Sequence, residues 1–162
     1  MNVLIVEDEP NTANLLKHII ENNSDFKVVE ILDSIVDTVD YLFKHSSDLD
    51  LLFFDIQLVD GESFEIFKHV DITIPIIFCS AYDEYGLKAI KSNGIEYILK
   101  PFKEEDVKRG LNKYRSLVSR IKSIGISSYD NGDNCQQFFL CQFREKTIIV
   151  NVSDIAYFYV EN

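Results

Sequence analysis

Cysteine is scarce and unpaired here: Cys79, Cys135 and Cys141 are odd in number and lack CxxC spacing, so neither a disulfide framework nor a zinc site is indicated. They read as small apolar residues in a reducing compartment. Positive charge is also short. Sixteen Lys and Arg face 27 Asp and Glu, a formal net charge of −11, which disfavours a polyanion binder working through bulk electrostatics. Apolar runs reach only six residues, at Ile74 to Cys79 and Ile155 to Val160, against the roughly 18 that a membrane span needs. The expectation is a soluble chain with no membrane partner. Its opening, Met1 to Glu9, has no basic n-region and meets Glu7, Asp8 and Glu9 after four apolar residues. That excludes a signal peptide and points to the cytoplasm. His18, His45 and His69 lie far apart without paired ligand spacing, so they read as surface or packing residues. There is no internal repeat and no low-complexity tract.

What is present suits one globular domain and part of another: 162 residues, 46% hydrophobic and 12% aromatic. Apolar runs at Val3 to Val6, Phe26 to Leu32, Leu51 to Phe54, Pro75 to Cys79 and Ile95 to Leu99 read as five strands. Between them come helical spacings: Ala13, Leu16 and Ile20; Ile35, Val39, Leu42 and Phe43; Phe64 and Phe67; Leu87 and Ile90. A last helix from about Glu104 to Lys122 carries the regular stripe Val107, Leu111, Tyr114, Val118 and Ile121, either core or core continued by a dimer seam. Strands rich in Val, Ile, Leu and Phe without clean alternation suit a parallel sheet buried on both faces. The fold class expected is α/β, a five-stranded parallel sheet, doubly wound. Gly, Ser, Asn and Asp then take over from Ser123 to Asn134, which reads as a linker. Beyond it Gln136 to Gln142 and Lys146 to Val152 read as strands, with Phe143, Arg144 and Glu145 turning between them. So short a piece is expected to be the beginning of a second, all-β domain.

In open parallel sheets ligands sit beyond the carboxyl ends of the strands. The first strand ends in Glu7, Asp8 and Glu9, the third in Asp55, the fourth in Ser80 and the fifth in Lys100 and Pro101. Carboxylates gathered in one crevice repel unless a cation neutralises them, and Mg2+ suits oxygen ligands that leave room for water and phosphate. A carboxylate beside Mg2+, with an ammonium and a hydroxyl to hold phosphoryl oxygens, is equipped to form an aspartyl phosphate. Asp55 is the candidate nucleophile, because the acidic group on the first strand is better placed to carry the metal. Singly, each residue has a plainer explanation as cap, turn former or surface group; four strand ends together do not. Glu9 precedes Pro10 and reads as a helix start rather than a site residue.

The segments Val3 to Glu9, Leu52 to Ile56, Cys79 to Ala81 and Tyr97 to Phe102 resemble the receiver domain of two-component response regulators, over residues 1 to about 120. The resemblance implies a flavodoxin-like fold in which Asp55 accepts phosphate from a sensor histidine kinase. It implies Mg2+ held by Asp8, Asp55 and the Gln57 backbone carbonyl, with Glu7 acting through water. Ser80 is then the switch hydroxyl, Lys100 the partner of the acyl phosphate, and Tyr97 the aromatic that turns inward. Gln57 and Tyr82 occupy the two variable positions that tune dephosphorylation, and the Lys100–Pro101 bond is cis. Glu7 replaces the more frequent Asp and Ser80 the more frequent Thr, both mild changes.

Ala81 to Tyr85 and Gly94 to Phe102 resemble receivers of the LytR/AlgR class, and Lys146 to Asn162 is similar to the opening strands of that class's LytTR DNA-binding domain. The domains implied are 1–122 receiver, 123–135 linker and 136–162 a LytTR fragment. Residues 123–162 carry a net charge of −3, so DNA binding is expected only through a full-length LytTR domain. The resemblance makes the chain a phosphoacceptor that catalyses its own phosphorylation and dephosphorylation, not a turnover enzyme, and one that homodimerises on phosphorylation. A haloacid-dehalogenase-type phosphatase fits less well: Gln57 stands where such enzymes carry a second Asp, and a general acid is lacking. No Gly-rich turn follows the first strand, which disfavours a nucleotide-binding Rossmann module. A pseudo-receiver that never accepts phosphate is disfavoured by the intact set from Glu7 to Lys100.

Overall fold

The computed structural model describes residues 1–123, 138–143 and 146–151. The chain divides into two compact units, Met1–Gly125 and Ile126–Asn162. In the first, β1 (Asn2–Val6), β2 (Lys27–Leu32), β3 (Leu51–Asp55), β4 (Ile76–Ser80) and β5 (Gly94–Leu99) form one parallel sheet in the order β2-β1-β3-β4-β5. This is the flavodoxin-like, doubly wound arrangement, and the strand order reverses between β1 and β3. All five expected strands are present, within a residue or two of their expected ends.

The sheet's central strands explain their own composition. Along β1, β3 and β4 successive side chains alternate between two buried layers, so every position after the leading Asn2 of β1 is buried. Val3, Ile5, Leu51, Phe53, Ile77 and Cys79 face one core, which α1 (Pro10–Glu21) and a long helix covering Glu104–Ser123 close with Leu16, Ile20, Val107 and Leu111. Leu4, Val6, Leu52, Phe54, Ile76 and Phe78 face the other core, beneath α2 (Ile35–His45) and the segment Ser63–Lys68. Cys79 is buried with a free thiol, as its apolar neighbours suggest. His18, His45 and His69 are all exposed.

Two helical expectations need correction. Phe64 and Phe67 lie on a 3-10 turn, Ser63–Lys68, rather than an α-helix. A spacing of three fits both, and six residues suit the tighter form, whose eclipsed i and i+3 positions stack the two rings at 6.4 Å. Next comes α3 (Gly86–Lys91), the only one-and-a-half-turn α-helix among the described residues. It buries Ala89, while Leu87 and Ile90 are 77% and 59% exposed. Ala89 is the inward residue because β5 passes so close: a Cβ on Gly94 would run into the Ala89 carbonyl. The long helix, now α4, resolves the alternative left by its stripe. Val107, Leu111 and Tyr114 are buried in the core and Val118 is partly buried, so these four pack inward and are no free dimer seam; the Ile121 side chain lies outside the described residues.

In the second unit, Phe138–Phe143 and Lys146–Asn151 form an antiparallel pair, β6 and β7, close to the two strands expected. Ser123, expected to open the linker, instead closes α4. The rest of that linker, the turn at Arg144 and Glu145 and the tail from 152 lie outside the described residues. Among the described residues no helix is long and apolar enough to cross a membrane.

Candidate functional site

The strand ends meet at the carboxyl edge, where the reversal of strand order opens a crevice. Glu7 follows β1 and Asp55 ends β3; their residues are 2% and 7% exposed. Ser80 ends β4 and is fully buried. Lys100 follows β5, joined to Pro101 by a cis peptide bond. Its ammonium donates to Asp55 Oδ2 at 2.5 Å and to Glu7 Oε1 at 2.8 Å. It also lies 2.7 Å from Glu7 Oε2, but that oxygen receives no well-directed hydrogen bond. One cation thus serves two buried carboxylates, and a third, Asp8, stands half-buried beside them.

The electrostatics follow from that shortage. Burial pushes the Glu7 carboxyl up to about 7; the hydrogen bond from Lys100 opposes the shift and the neighbouring Asp55 charge adds to it. Burial would lower the Lys100 pKa, yet its hydrogen bonds to Asp55 and Glu7 prevail and the net shift is upward. Ligand oxygens from Glu7, Asp8 and Asp55 all lie within 4.8 Å of one another, a donor set able to hold a metal ion. The chemistry fits a hard divalent cation: all three donors are carboxylates, and Glu7 Oε2 is a buried oxygen without a hydrogen bond.

The remaining expected site residues surround this centre. The Gln57 backbone N–H donates to Asp55 Oδ1 at 3.1 Å, and Ser80 Oγ accepts from the Tyr82 backbone N–H at 3.2 Å. Tyr97 is half-buried against the second core, and its hydroxyl donates to the Tyr82 carbonyl. Burial raises its pKa, while a hydrogen bond with Ser80 opposes the rise. The ring therefore already reaches the end of β4. Tyr82 itself is 50% exposed. Glu9 stands at the N-cap of α1 with Pro10 in the first turn, and its carboxylate accepts from Thr12 rather than joining the site.

A second polar chain went unread in the sequence. After Asp55 the backbone forms a small hairpin, Gln57–Leu58 against Gly61–Glu62, which Asp60 ties to the start of α2 by accepting from the Ile35 amide at 2.9 Å. On this hairpin Glu62 accepts from Tyr85 Oη at 3.1 Å and from Lys88 Nζ at 2.7 Å. Gln57 Nε2 donates to the same Tyr85 oxygen at 3.4 Å. Lys88 lies 4.1 Å from the Phe64 ring centroid, so its ammonium is held by an aromatic face as well as by a carboxylate. The only sequence hint was Tyr85 standing three residues after Tyr82. Nothing in that spacing names Glu62 as its partner.

Comparison with known proteins agrees with the geometry. Residues 3–112 match the response regulator receiver domain, and the chain belongs to that family. Over 97% of its length it is 33% identical to a sensory transduction protein LytT of Bacillus cereus, of which it spans 65%. It is 30% identical to a sensory transduction protein LytR of Staphylococcus haemolyticus, matching all of this chain and 68% of that one. The first thus exceeds this chain by about a third of its own length. Among solved structures, the response regulatory domain of protein mrkE from Klebsiella pneumoniae is 28% identical, with a TM-score of 0.59 over 76% of this chain and 99% of that one. The signal receiver domain of a Luxo repressor protein from Vibrio parahaemolyticus, 16% identical with a TM-score of 0.65, shares the fold over 78% of this chain and 98% of its own.

Proposed function

We propose that this chain is the phosphoacceptor part of a two-component response regulator, with Asp55 receiving a phosphoryl group from a sensor histidine kinase. The observation that carries the reading is the placement of Lys100 between Asp55 and Glu7, beside Asp8, at the switch point of the sheet. An Asp55 oxygen forms the new bond to phosphorus as the bond from phosphorus to the donor nitrogen breaks, and that pair stays with the donor. Asp8, Asp55 and the Gln57 carbonyl would hold Mg2+, with Glu7 reaching it through water; the ion would supply charge to offset the phosphoryl oxygens. Lys100 can leave Glu7 to pair with the acyl phosphate, and the Ser80 hydroxyl can turn from the Tyr82 amide to donate to a phosphoryl oxygen. The chain accelerates its own gain and loss of phosphate and turns over no other substrate.

The output is proposed to be transcriptional, through a LytTR-type domain begun by β6 and β7, and to be switched by homodimerisation. Leu87 and Ile90 on α3 and Leu99 at the end of β5 are large apolar side chains left exposed on neighbouring elements, which favours that face for a second copy. Incubation with Mg2+ and a small acyl phosphate should add one phosphoryl mass to the wild-type chain. Asp55→Asn should abolish it; the same adduct in Asp55→Asn contradicts the assignment.

A further inference from the structure

One residue touches the side chains of both Gln57 and Tyr82, whose backbone amides donate to Asp55 Oδ1 and Ser80 Oγ at the site. Tyr85 Oη accepts from Gln57 Nε2 at 3.4 Å, and the Tyr85 ring meets the Tyr82 ring edge-on at 6.2 Å between centroids. Gln57 is exposed and Tyr82 half-exposed, so neither has enough surroundings of its own to fix its rotamer. Tyr85 does. It is partly buried against Phe64 in the second core, their ring centroids 6.0 Å apart. Its hydroxyl is directed by Glu62, a carboxylate that can only accept and that Lys88 holds from the other side at 2.7 Å. Because that proton goes to Glu62, the Tyr85 oxygen is left to accept, which settles which end of the Gln57 amide faces it: the nitrogen. The order of donors runs from Gln57 to Tyr85 to Glu62, and the chain spans from the hairpin after β3 to the loop after β4.

We propose that Tyr85, anchored by Glu62, is the positioning residue that holds Gln57 and Tyr82 across the approach to the aspartyl phosphate and so lengthens its lifetime. The inference rests on the phosphoacceptor reading of Asp55. In the reaction it restrains, a water oxygen forms a bond to phosphorus while the bond to the Asp55 oxygen breaks. That electron pair returns to the carboxylate, and inorganic phosphate and a proton leave. Tyr85 takes part in none of these bonds. It acts by keeping two side chains where water must pass.

The test phosphorylates the chain with Mg2+ and a small acyl phosphate, removes the donor, and follows decay of the phosphorylated mass. Tyr85→Phe keeps the ring and deletes only the hydroxyl; it should shorten the half-life about fivefold, the effect of losing a hydrogen bond worth about 1 kcal/mol. Glu62→Gln should shorten it in the same direction. Gln57→Ala should shorten it too, and adding Tyr85→Phe to Gln57→Ala should change little more, because the hydroxyl acts through the amide. An unchanged or longer half-life in Tyr85→Phe overturns the proposal, as does full additivity in the double variant, which would mean a loosened fold rather than a positioned amide. The extent of phosphorylation is read separately from its decay. A wild-type chain that takes no phosphoryl group overturns the phosphoacceptor reading itself, whereas normal loading with unaltered decay overturns only the role of Tyr85.

Discussion

At the scale of the residue, the site is a contest between three carboxylates for one ammonium, and each carboxylate answers it differently. Asp55 holds Lys100 at 2.5 Å, Glu7 shares it from a buried position, and Asp8 is the least buried of the three. On the proposed ligation, Asp8 binds Mg2+ directly and Glu7 through water. Glu7→Gln should therefore weaken Mg2+ binding by about 10- to 100-fold, as changes outside the direct ligands do, and Asp8→Ala by more; calorimetric titration measures both, and equal affinities in wild type and the two variants would contradict it. These residues were legible because chemistry at a strand end needs only the strand and its last residue to be read. Tyr85 and Glu62 were not legible. Their contact joins positions 23 apart through side chains whose rotamers the sequence does not specify. Gln57 and Tyr82 came through resemblance, which supplied their positions and nothing about what holds them.

Elements show where pattern succeeds and where packing overrides it. The three central strands were readable because their burial on both faces demands unbroken apolar runs, and the edge strands β2 and β5, less buried, because they keep enough apolar residues to extend the same pattern. Leu87 and Ile90 misled because α3 is too short for an apolar spacing to define a buried face, and backbone approach sets its orientation instead: Gly94 admits the Ala89 carbonyl, so Ala89 is the residue turned inward. Gly94→Ala must push β5 and α3 apart and should cost about 1–3 kcal/mol, in the range of overpacking. Urea denaturation with an unchanged midpoint would refute this. Farther along, Arg115 docks the middle of α4 onto the loop before β2, donating to Asp25 at 2.6 and 2.9 Å with its guanidinium 5.0 Å from the Phe26 ring centroid. Chiefly through that hydrogen bond, Arg115 holds the Asp25 carboxyl below its ordinary 3.8. A lowered carboxylate contributes its stability above the ordinary value and loses it as pH falls through the native one. Asp25→Asn should thus lower stability modestly at pH 7, by the few tenths to about 1 kcal/mol of a solvent-exposed pair, read as a lower melting temperature. That difference should disappear as the pH falls below about 3.8. A difference that persists undiminished in acid would mean the pair contributes through packing alone.

For the molecule as a whole, phosphate at Asp55 must favour one of two arrangements of the sheet's far edge if it is to signal. Tyr97 already hydrogen-bonds the carbonyl of Tyr82, just past the end of β4, and the Tyr82 amide donates to Ser80 Oγ, so the β5 aromatic and the Ser80 hydroxyl are connected through one residue. A coupling of roughly 1–3 kcal/mol through that link would shift dimer affinity about 5- to 150-fold. Sedimentation with and without a beryllium fluoride complex should show the dimer favoured in its presence, through the face bearing Leu87, Ile90 and Leu99; identical mass distributions at tens of micromolar protein would remove dimerisation from the account. On the proposed transcriptional output, paired receivers would also bring two LytTR-type domains together on DNA, a gain in effective concentration. All of this depends on the aspartyl phosphate, and its location can be read chemically. Borohydride reduces an acyl phosphate to the alcohol, so a chain phosphorylated in Mg2+, reduced and digested should carry homoserine at position 55 and at no other carboxylate, with the signal lost when Mg2+ is chelated. Homoserine at Asp8 or any other aspartate, 5-hydroxynorvaline at Glu7 or any other glutamate, or an undiminished signal at position 55 without Mg2+, would contradict the site as described.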